Sequence, residues 1–188
     1  MSNPILLDFP EQIESERLII RAPRPGDGAA IVEAIRESLV ELRPWMPWAQ
    51  DVPTVASAEE SIRRAAALFM TREDMRLNMY RKSDGLFVGG SGLHRFDWSV
   101  PRFEIGYWVR TSLQGQGYVT EMVEALTAFC FGTLGAKRME IHCDARNTRS
   151  YAVAERAGYQ FEARLRHHAR DVYGELSDTL IYAKFPEG

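Results

Sequence analysis

A glycine-rich turn at residues 114–118 (QGQGY) is the part of this sequence that most directly suggests chemistry. It follows a strand-like run at 103–109 (FEIGYWV) and precedes a helical pattern. Backbone N–H groups and the dipole at a helix start favour an anion, and glycines let a phosphate approach closely. The turn lacks the Gly-Lys-Ser/Thr of a triphosphate loop and the Gly-x-Gly-x-x-Gly spacing of dinucleotide sites. It therefore indicates either another kind of phosphate site or a tight strand-to-helix connection.

A carboxylate lies in the strand that leads to this turn. Glu104 stands between Phe103 and Ile105. A carboxylate at such a position is costly unless it faces a cleft or is paired with a cation. Glu104 is therefore a candidate acid–base group, and the alternative is that it pairs with an arginine at a sheet edge.

Alternating and helical patterns predict the elements that position these residues. Seven strands are expected, at 17–22, 76–82, 86–93, 102–109, 138–143, 159–167 and 176–185. Four helices are expected, at 29–42, 57–70, 118–134 and 148–157, with Asp27 as the first N-cap and Ser57 and Glu60 as a capping box. The order predicts an α/β or α+β fold with a mixed central sheet of six to seven strands, helices on both faces and a right-handed crossover.

Composition narrows the class of protein. The 188 residues contain no repeat or linker and are read as a single domain, 1–188. The net charge is −3, with 26 acidic and 23 basic residues, which argues against nucleic acid as a direct partner. Cys130 and Cys143 lack metal-ligand spacing, so no metal site is predicted, and two isolated cysteines fit a reducing compartment. Because neither a signal peptide nor a membrane-spanning run is present, we expect a cytoplasmic protein without membrane attachment.

Two motifs together resemble the GNAT superfamily of acyl-CoA N-acyltransferases. Gln114 and Gly117 match the first and fourth positions of its pyrophosphate loop, Gln/Arg-x-x-Gly-x-Gly/Ala, and Val119 replaces the small last residue. Downstream, residues 147–150 (NTRS) and 157–159 (AGY) resemble the family's Asn-x-x-Ser segment and its Gly-Phe/Tyr ending. The opening Glu-Arg-Leu and the Glu-Ile-Gly-Tyr-Trp strand resemble the Rim-type ribosomal-protein N-terminal acetyltransferases.

The resemblance implies the GNAT fold and acetyl transfer from acetyl-CoA to an amine, most simply a protein N-terminus. It implies that acetyl-CoA is bound by Val109, Gln114, Gly115, Gln116, Gly117, Tyr118, Val119, Thr120 and Asn147. Acetyl transfer needs a base for the amine and an acid for the departing thiolate. Glu104 is the first candidate base, and Asp178, in the closing strand, is either a second candidate or an orienting residue.

Ser150 is the candidate acid for the thiolate. Many GNAT members use a tyrosine seven residues after the asparagine, but that position is Ala154 here. Alternatively, Ser150 is an ordinary residue of the first helical turn. Tyr151, the next residue, is the second candidate acid. Asn147 is expected to contact the cofactor, although an asparagine before a helix is also a common N-cap.

Trp45 and Trp48 flank a Pro-rich loop and are expected to line the acceptor site, unless they pack in the core. His167 and His168 are not expected to form a joint metal site, because neighbours on a strand point to opposite faces, and both are read as surface residues. Cys143 ends the strand before the Asn-x-x-Ser segment. It is either near the cofactor sulfur, with a few per cent thiolate at an ordinary pKa of about 8.5, or buried and inert.

Two other functions remain open at this stage. One is acetylation of a small-molecule amine such as an aminoglycoside, a polyamine or an aminoacyl nucleotide, which would change only the loops near Trp45 and Trp48. The other is a regulatory domain that binds acyl-CoA without turnover. A homodimer is compatible with the sequence, but nothing in it requires one.

Overall fold

A computed structural model of the protein describes residues 3–186. Eight strands form one sheet in the order β1-β2-β3-β4-β5-β6-β8-β7. The strands are β1 Gln12–Glu14, β2 Leu18–Arg21, β3 Met75–Arg81, β4 Phe87–Asp97, β5 Arg102–Val109, β6 Arg138–Asp144, β7 Gln160–Arg170 and β8 Leu176–Lys184. The helices are α1 Gly28–Leu42, α2 Val55–Thr71, α3 Tyr118–Gly132 and α4 Thr148–Arg156. The predicted α+β GNAT fold with a mixed sheet is confirmed.

Helices cover both faces of the sheet, as predicted. Phe87 and Trp108 pack against α1 and α2, whereas their sequence neighbours Val88 and Val109 belong to the cluster that α3 covers. This alternation follows from the two-residue period of a strand. The face under α1 and α2 also carries Glu104, two residues before Gly106 and four before Trp108.

The pairing of strands β5 and β6 is the feature that creates a site. They are the parallel pair in a sheet whose other described pairings are antiparallel, and α3 is their crossover. Their pairing stops at Glu104 and Glu140, after which β6 pairs only with β8. A gap therefore opens between the two strands beyond this point.

Several predicted boundaries were wrong. The sheet has eight strands, whereas six to seven were predicted. The strand that was not predicted, β1, has only three residues, too few to show alternation. The N-cap of α2 is Thr54, whose Oγ1 accepts a hydrogen bond from Ser57 N at 3.1 Å, so the helix begins before the predicted capping box. Asp27 occupies the N-cap position of α1 but makes no side-chain cap, because its carboxylate accepts instead from Arg21 and Asn78.

Candidate active site

A cleft of about 780 Å³ lies where β5 and β6 part, between the start of α3 and the start of α4. Its lining includes eight of the nine residues predicted to bind acetyl-CoA: Val109, Gln114, Gly115, Gly117, Tyr118, Val119, Thr120 and Asn147. Gln116 does not line it, because its side chain turns back to donate to the carbonyl oxygen of Ser112 at 3.1 Å.

The start of α3 has the features of a diphosphate site. Gly115 and Gly117 adopt φ values of 73° and 82°, which favour glycine over other residues. The first amides of the helix have no intrahelical partner, and the N-cap, Gly117, has no side chain that could accept from them. These amides face the cleft with the positive end of the helix dipole, and the residues present therefore fit the diphosphate of an acyl-CoA.

Three arginines near this loop were missed by sequence reasoning. Arg17 donates from Nη1 to the carbonyl oxygen of Gln116 at 3.0 Å and lies over the Tyr118 ring at 4.4 Å. Arg149 and Arg156 line the cleft, and Arg149 Nη1 donates to Gln114 Oε1 at 3.0 Å. The charges of Arg149 and Arg156 suit a ligand with several phosphates, whereas Arg17 is ion-paired with Glu121 at 2.7 Å and supports the loop. Two sequence signals could have pointed to these arginines: Arg17 belongs to the Glu-Arg-Leu opening, and Arg149 lies inside the Asn-x-x-Ser segment.

Ser150 and Tyr107 form a hydroxyl pair beside the cleft. Ser150 Oγ donates to the Tyr107 hydroxyl at 3.2 Å, and that hydroxyl donates to the carbonyl oxygen of Ser150 at 2.9 Å. Burial raises the pKa of Tyr107 well above its ordinary value, which outweighs the opposing effect of Ser150. The phenol therefore keeps its proton at neutral pH. Tyr107 was not predicted as a site residue, although it lies in the FEIGYWV run.

The residues next to Ser150 have mixed roles. Asn147 caps α4, since its Oδ1 accepts from Ser150 N at 3.1 Å, and it also lines the cleft. Tyr151 lines the cleft too and stacks on Tyr182 with ring centroids 6.4 Å apart. Cys143 lies near Ser150, but burial raises the pKa of its thiol to about 11. The expectation of a few per cent thiolate at neutral pH was therefore wrong.

Glu104 is engaged by an arginine and lies close to a histidine. Both of its carboxylate oxygens accept from Arg95 Nη1 at 2.9 Å, and His142 Nδ1 lies 3.3 Å from Oε2. His142 Nε2 in turn lies 2.9 Å from Glu140, which also pairs with Arg138. The predicted alternative, pairing with an arginine, is thus present. Arg95 and Arg138 offset the carboxylate charges, so these residues form an ion-pair network.

Asp178, the second candidate base, has a structural role. Its carboxylate accepts from His167 N at 2.9 Å and from Arg164 Nε at 2.8 Å, and these contacts hold its pKa below the ordinary value. They stabilise the irregular pairing of β7 with β8. His167 and His168 are exposed, as predicted.

Two further cavities reach the cleft from the α1–α2 face of the sheet, and Met46 and Tyr107 line both of them and the cleft. The first, of about 400 Å³, includes Trp45, Glu104 and Ser150 and is called the Glu104 cavity. The second, of about 570 Å³, lies under the loop that follows α1.

We call this second space the Trp48 cavity. Trp48 is 51% exposed at its rim, and its ring centroid lies 5.7 Å from that of Trp108. The structure thus places both predicted tryptophans beside cavities rather than in the core. The arrangement can hold a phosphate-rich ligand in the cleft and admit a second substrate from the opposite face.

No helix within residues 3–186 combines the length and the apolar character that crossing a bilayer requires.

A family model described as an acetyltransferase (GNAT) domain matches residues 17–160. YdaF of Bacillus subtilis (strain 168), a candidate ribosomal N-acetyltransferase, is 28% identical, over 90% of this chain and 91% of its own. The ribosomal-protein-serine acetyltransferase of Escherichia coli (strain K12) is 26% identical, over 81% of this chain and 86% of its own.

Among solved structures, the microcin C7 self-immunity acetyltransferase MccE, in complex with acetyl-CoA and AMP, matches with a TM-score of 0.86. The identity is 23%, and the match covers 95% of this chain and 98% of that one. At this identity the likeness concerns the fold, whereas the family model covers most of the sequence. The chain belongs to the GNAT family of acetyl-CoA-dependent N-acetyltransferases.

Proposed function

We propose that the protein acetylates the N-terminal α-amine of a protein, using the acetyl-CoA bound in the cleft. The observation that carries the proposal is the meeting of the cleft with two open cavities at Tyr107, beside Ser150. A donor bound through its phosphates at α3 and an acceptor entering under Trp45 or Trp48 would meet there. The cavities open to the surface, as an extended peptide requires.

Protonation favours an α-amine over a lysine as the acceptor. The reference pKa values are about 8 and about 10.4, so at pH 7.4 about 20% of α-amines but only ~0.1% of lysines are neutral. A weak base therefore suffices for an α-amine. Two relatives, YdaF and the Escherichia coli enzyme, bear names that refer to ribosomal proteins, which makes a ribosomal-protein N-terminus the first acceptor to test.

The hydroxyl pair of Ser150 and Tyr107 is the proposed acid for the departing sulfur. It lies on the cleft side, and both hydroxyls carry a proton at neutral pH. Acetyl-CoA supplies the activated acetyl group, while the arginines and α3 amides hold its phosphates and the cavities orient the amine. Ser150→Ala and Tyr107→Phe should each lower kcat, and the double variant should lose less than the product of the two losses, because the hydroxyls act as a unit.

Release of CoA in an acceptor panel tests the proposal. The panel contains peptides that begin with Ser or Ala, the same peptides with blocked N-termini, an aminoglycoside, a polyamine and an aminoacyl nucleotide. We expect release only with the free peptides. Release only with a small amine would contradict the proposed acceptor class. Stabilisation by acetyl-CoA without release from any acceptor would instead identify a binding domain without turnover.

A further inference from the structure

The Trp48 cavity contains a histidine that neither the motifs nor the predicted site included. His94, near the end of β4, lines this cavity, and its Nδ1 lies 2.6 Å from Asp74 Oδ1, in the turn before β3. The two side chains are 34% and 36% exposed. The ring is therefore held in place by a carboxylate while it remains open to solvent through the cavity.

The contact with Asp74 determines which nitrogen carries the proton in the neutral ring. An ionised carboxylate only accepts hydrogen bonds, so Nδ1 must be the donor and Nε2 keeps its lone pair. Within residues 3–186, Nε2 makes no hydrogen bond to the protein. The same carboxylate also stabilises the ring after it gains a proton, as in the carboxylate–histidine pairs of hydrolases.

Two glycines allow the His94 ring to lie against β5, next to Tyr107. Gly92 on β4 pairs with Gly106 on β5, and the His94 ring lies across both. A methyl group added at Gly92 would lie 2.5 Å from Nε2, and one at Gly106 would lie 3.4 Å from it. Gly106 precedes Tyr107, which lines both the cavity and the cofactor cleft. The absence of side chains at both glycines leaves room for the ring on the acceptor side of β5.

Glu104 is the other candidate base, and its surroundings differ. It is the cross-strand partner of His94, but both of its oxygens accept from Arg95 and it is only 12% exposed. Its carboxylate is therefore already engaged by Arg95, and its side chain is far less open to an acceptor than the ring of His94, which is 34% exposed. Three charged groups face His94: Asp74, which contacts it directly, Arg76 on the neighbouring strand β3, and Glu104 on the neighbouring strand β5. Imidazole is the side chain best matched to proton transfer near neutral pH.

We infer that His94 is the general base of the proposed acetyl transfer, with Asp74 as its positioning residue. As the C–N bond forms, Nε2 takes the proton that the acceptor nitrogen loses. As the C–S bond breaks, its electron pair goes to sulfur, which takes a proton from the Ser150–Tyr107 pair. The ring of His94, one third of which is exposed, then releases its proton to solvent, from which the hydroxyl pair is reprotonated. This inference rests on the proposed function.

Activity measurements on five variants test the assignment. With a peptide acceptor, His94→Gln should lower kcat/KM by about 10²–10⁴-fold. Asp74→Asn should cost a similar factor, because an amide that donates to Nδ1 forces the proton onto Nε2. Glu104→Gln should cost less than about tenfold, and His168→Gln, an exposed control, should change nothing. Added imidazole should partly restore His94→Ala, more strongly as pH rises, which a purely structural histidine would not allow.

A measurement without turnover separates this inference from the proposed function. Nitrogen NMR of the neutral His94 ring should show the proton on Nδ1 in the wild type and on Nε2 in Asp74→Asn. A wild-type proton on Nε2 would overturn the inference even if peptides are acetylated. So would a His94→Gln variant as active as the wild type, or a Glu104→Gln loss larger than that of His94→Gln. If no amine is acetylated, the proposed function is contradicted, and the role of His94 that rests on it is contradicted as well.

Discussion

Gly117→Val should weaken acetyl-CoA binding more than it weakens the fold. Gly117 is the N-cap of α3 at φ 82°, and a Cβ there would lie 3.4 Å from Arg17 Nη2. A left-handed backbone costs a residue with a side chain about 1–2 kcal/mol. For a chain of this length that corresponds to a fall in Tm of about 2–8 °C. The branches of valine would additionally displace Arg17 or occupy space that a diphosphate needs.

Gly135→Val is the matched control. Gly135 follows α3 at φ 65°, and a Cβ there would meet nothing within 4 Å. This variant should lose a similar amount of stability without changing the cleft. Acetyl-CoA at 100 times its Kd should add about 2.7 kcal/mol to the wild type and to Gly135→Val.

Thermal unfolding with and without acetyl-CoA measures both effects. A tenfold weaker Kd in Gly117→Val would reduce the stabilisation by acetyl-CoA to about 1.4 kcal/mol at the same ligand concentration. An equal stabilisation of both variants would show that the phosphates do not bind at the start of α3. The assignment of the cleft would then be wrong.

Three other perturbations have defined outcomes. Burial raises the pKa of Cys143 to about 11, so its disulfide exchange with oxidised CoA should be negligible at pH 7 and should accelerate towards pH 10. Intact mass measures the CoA adduct, and Cys130→Ser is the control. Rapid modification at pH 7 would contradict the burial of Cys143. Arg110→Met, which removes ion pairs to α1 from a side chain that is 6% exposed, should cost about 1.5–3 kcal/mol in urea unfolding, and no loss would mean that solvent replaces these contacts fully. Burial opposes ionisation of Asp27, but hydrogen bonds led by that of Arg21 outweigh it and hold its pKa below the ordinary value. The contribution of the ionised Asp27 to the free energy of unfolding is therefore complete above its unfolded pKa of about 3.9 and is lost as pH falls through its folded pKa. Asp27→Asn should therefore make the free energy of unfolding less dependent on pH in this acid range.

The strand–turn–helix unit around Gly117 could be predicted because its signals are local. Alternation in β5, two glycines and a helical pattern lie within one stretch of sequence, and eight of the nine predicted cofactor residues line the cleft. Arg17 could not be placed there, because its position depends on β2 lying next to the start of α3. Its contact with Gln116 spans 99 residues.

The Asp74–His94 pair was missed for two physical reasons. The apolar pattern of β4 stops at Leu93, so the predicted strand ended one residue before His94, whereas the structure extends the strand to Asp97. Asp74 lies in a turn, where an aspartate usually indicates only turn chemistry. Their contact arises from the pairing of β3 with β4, which sequence patterns do not specify to the single residue.

The position of the acetyl group on a peptide tests the central claim most directly. A peptide with a free N-terminal serine and one internal lysine is incubated with the enzyme and acetyl-CoA, and tandem mass spectrometry locates the added group. The proposed function predicts one acetyl group on the α-amine and none on the lysine at neutral pH, because only the α-amine is substantially neutral there. Acetylation of the lysine, or of neither amine while a small-molecule amine is acetylated, would contradict it.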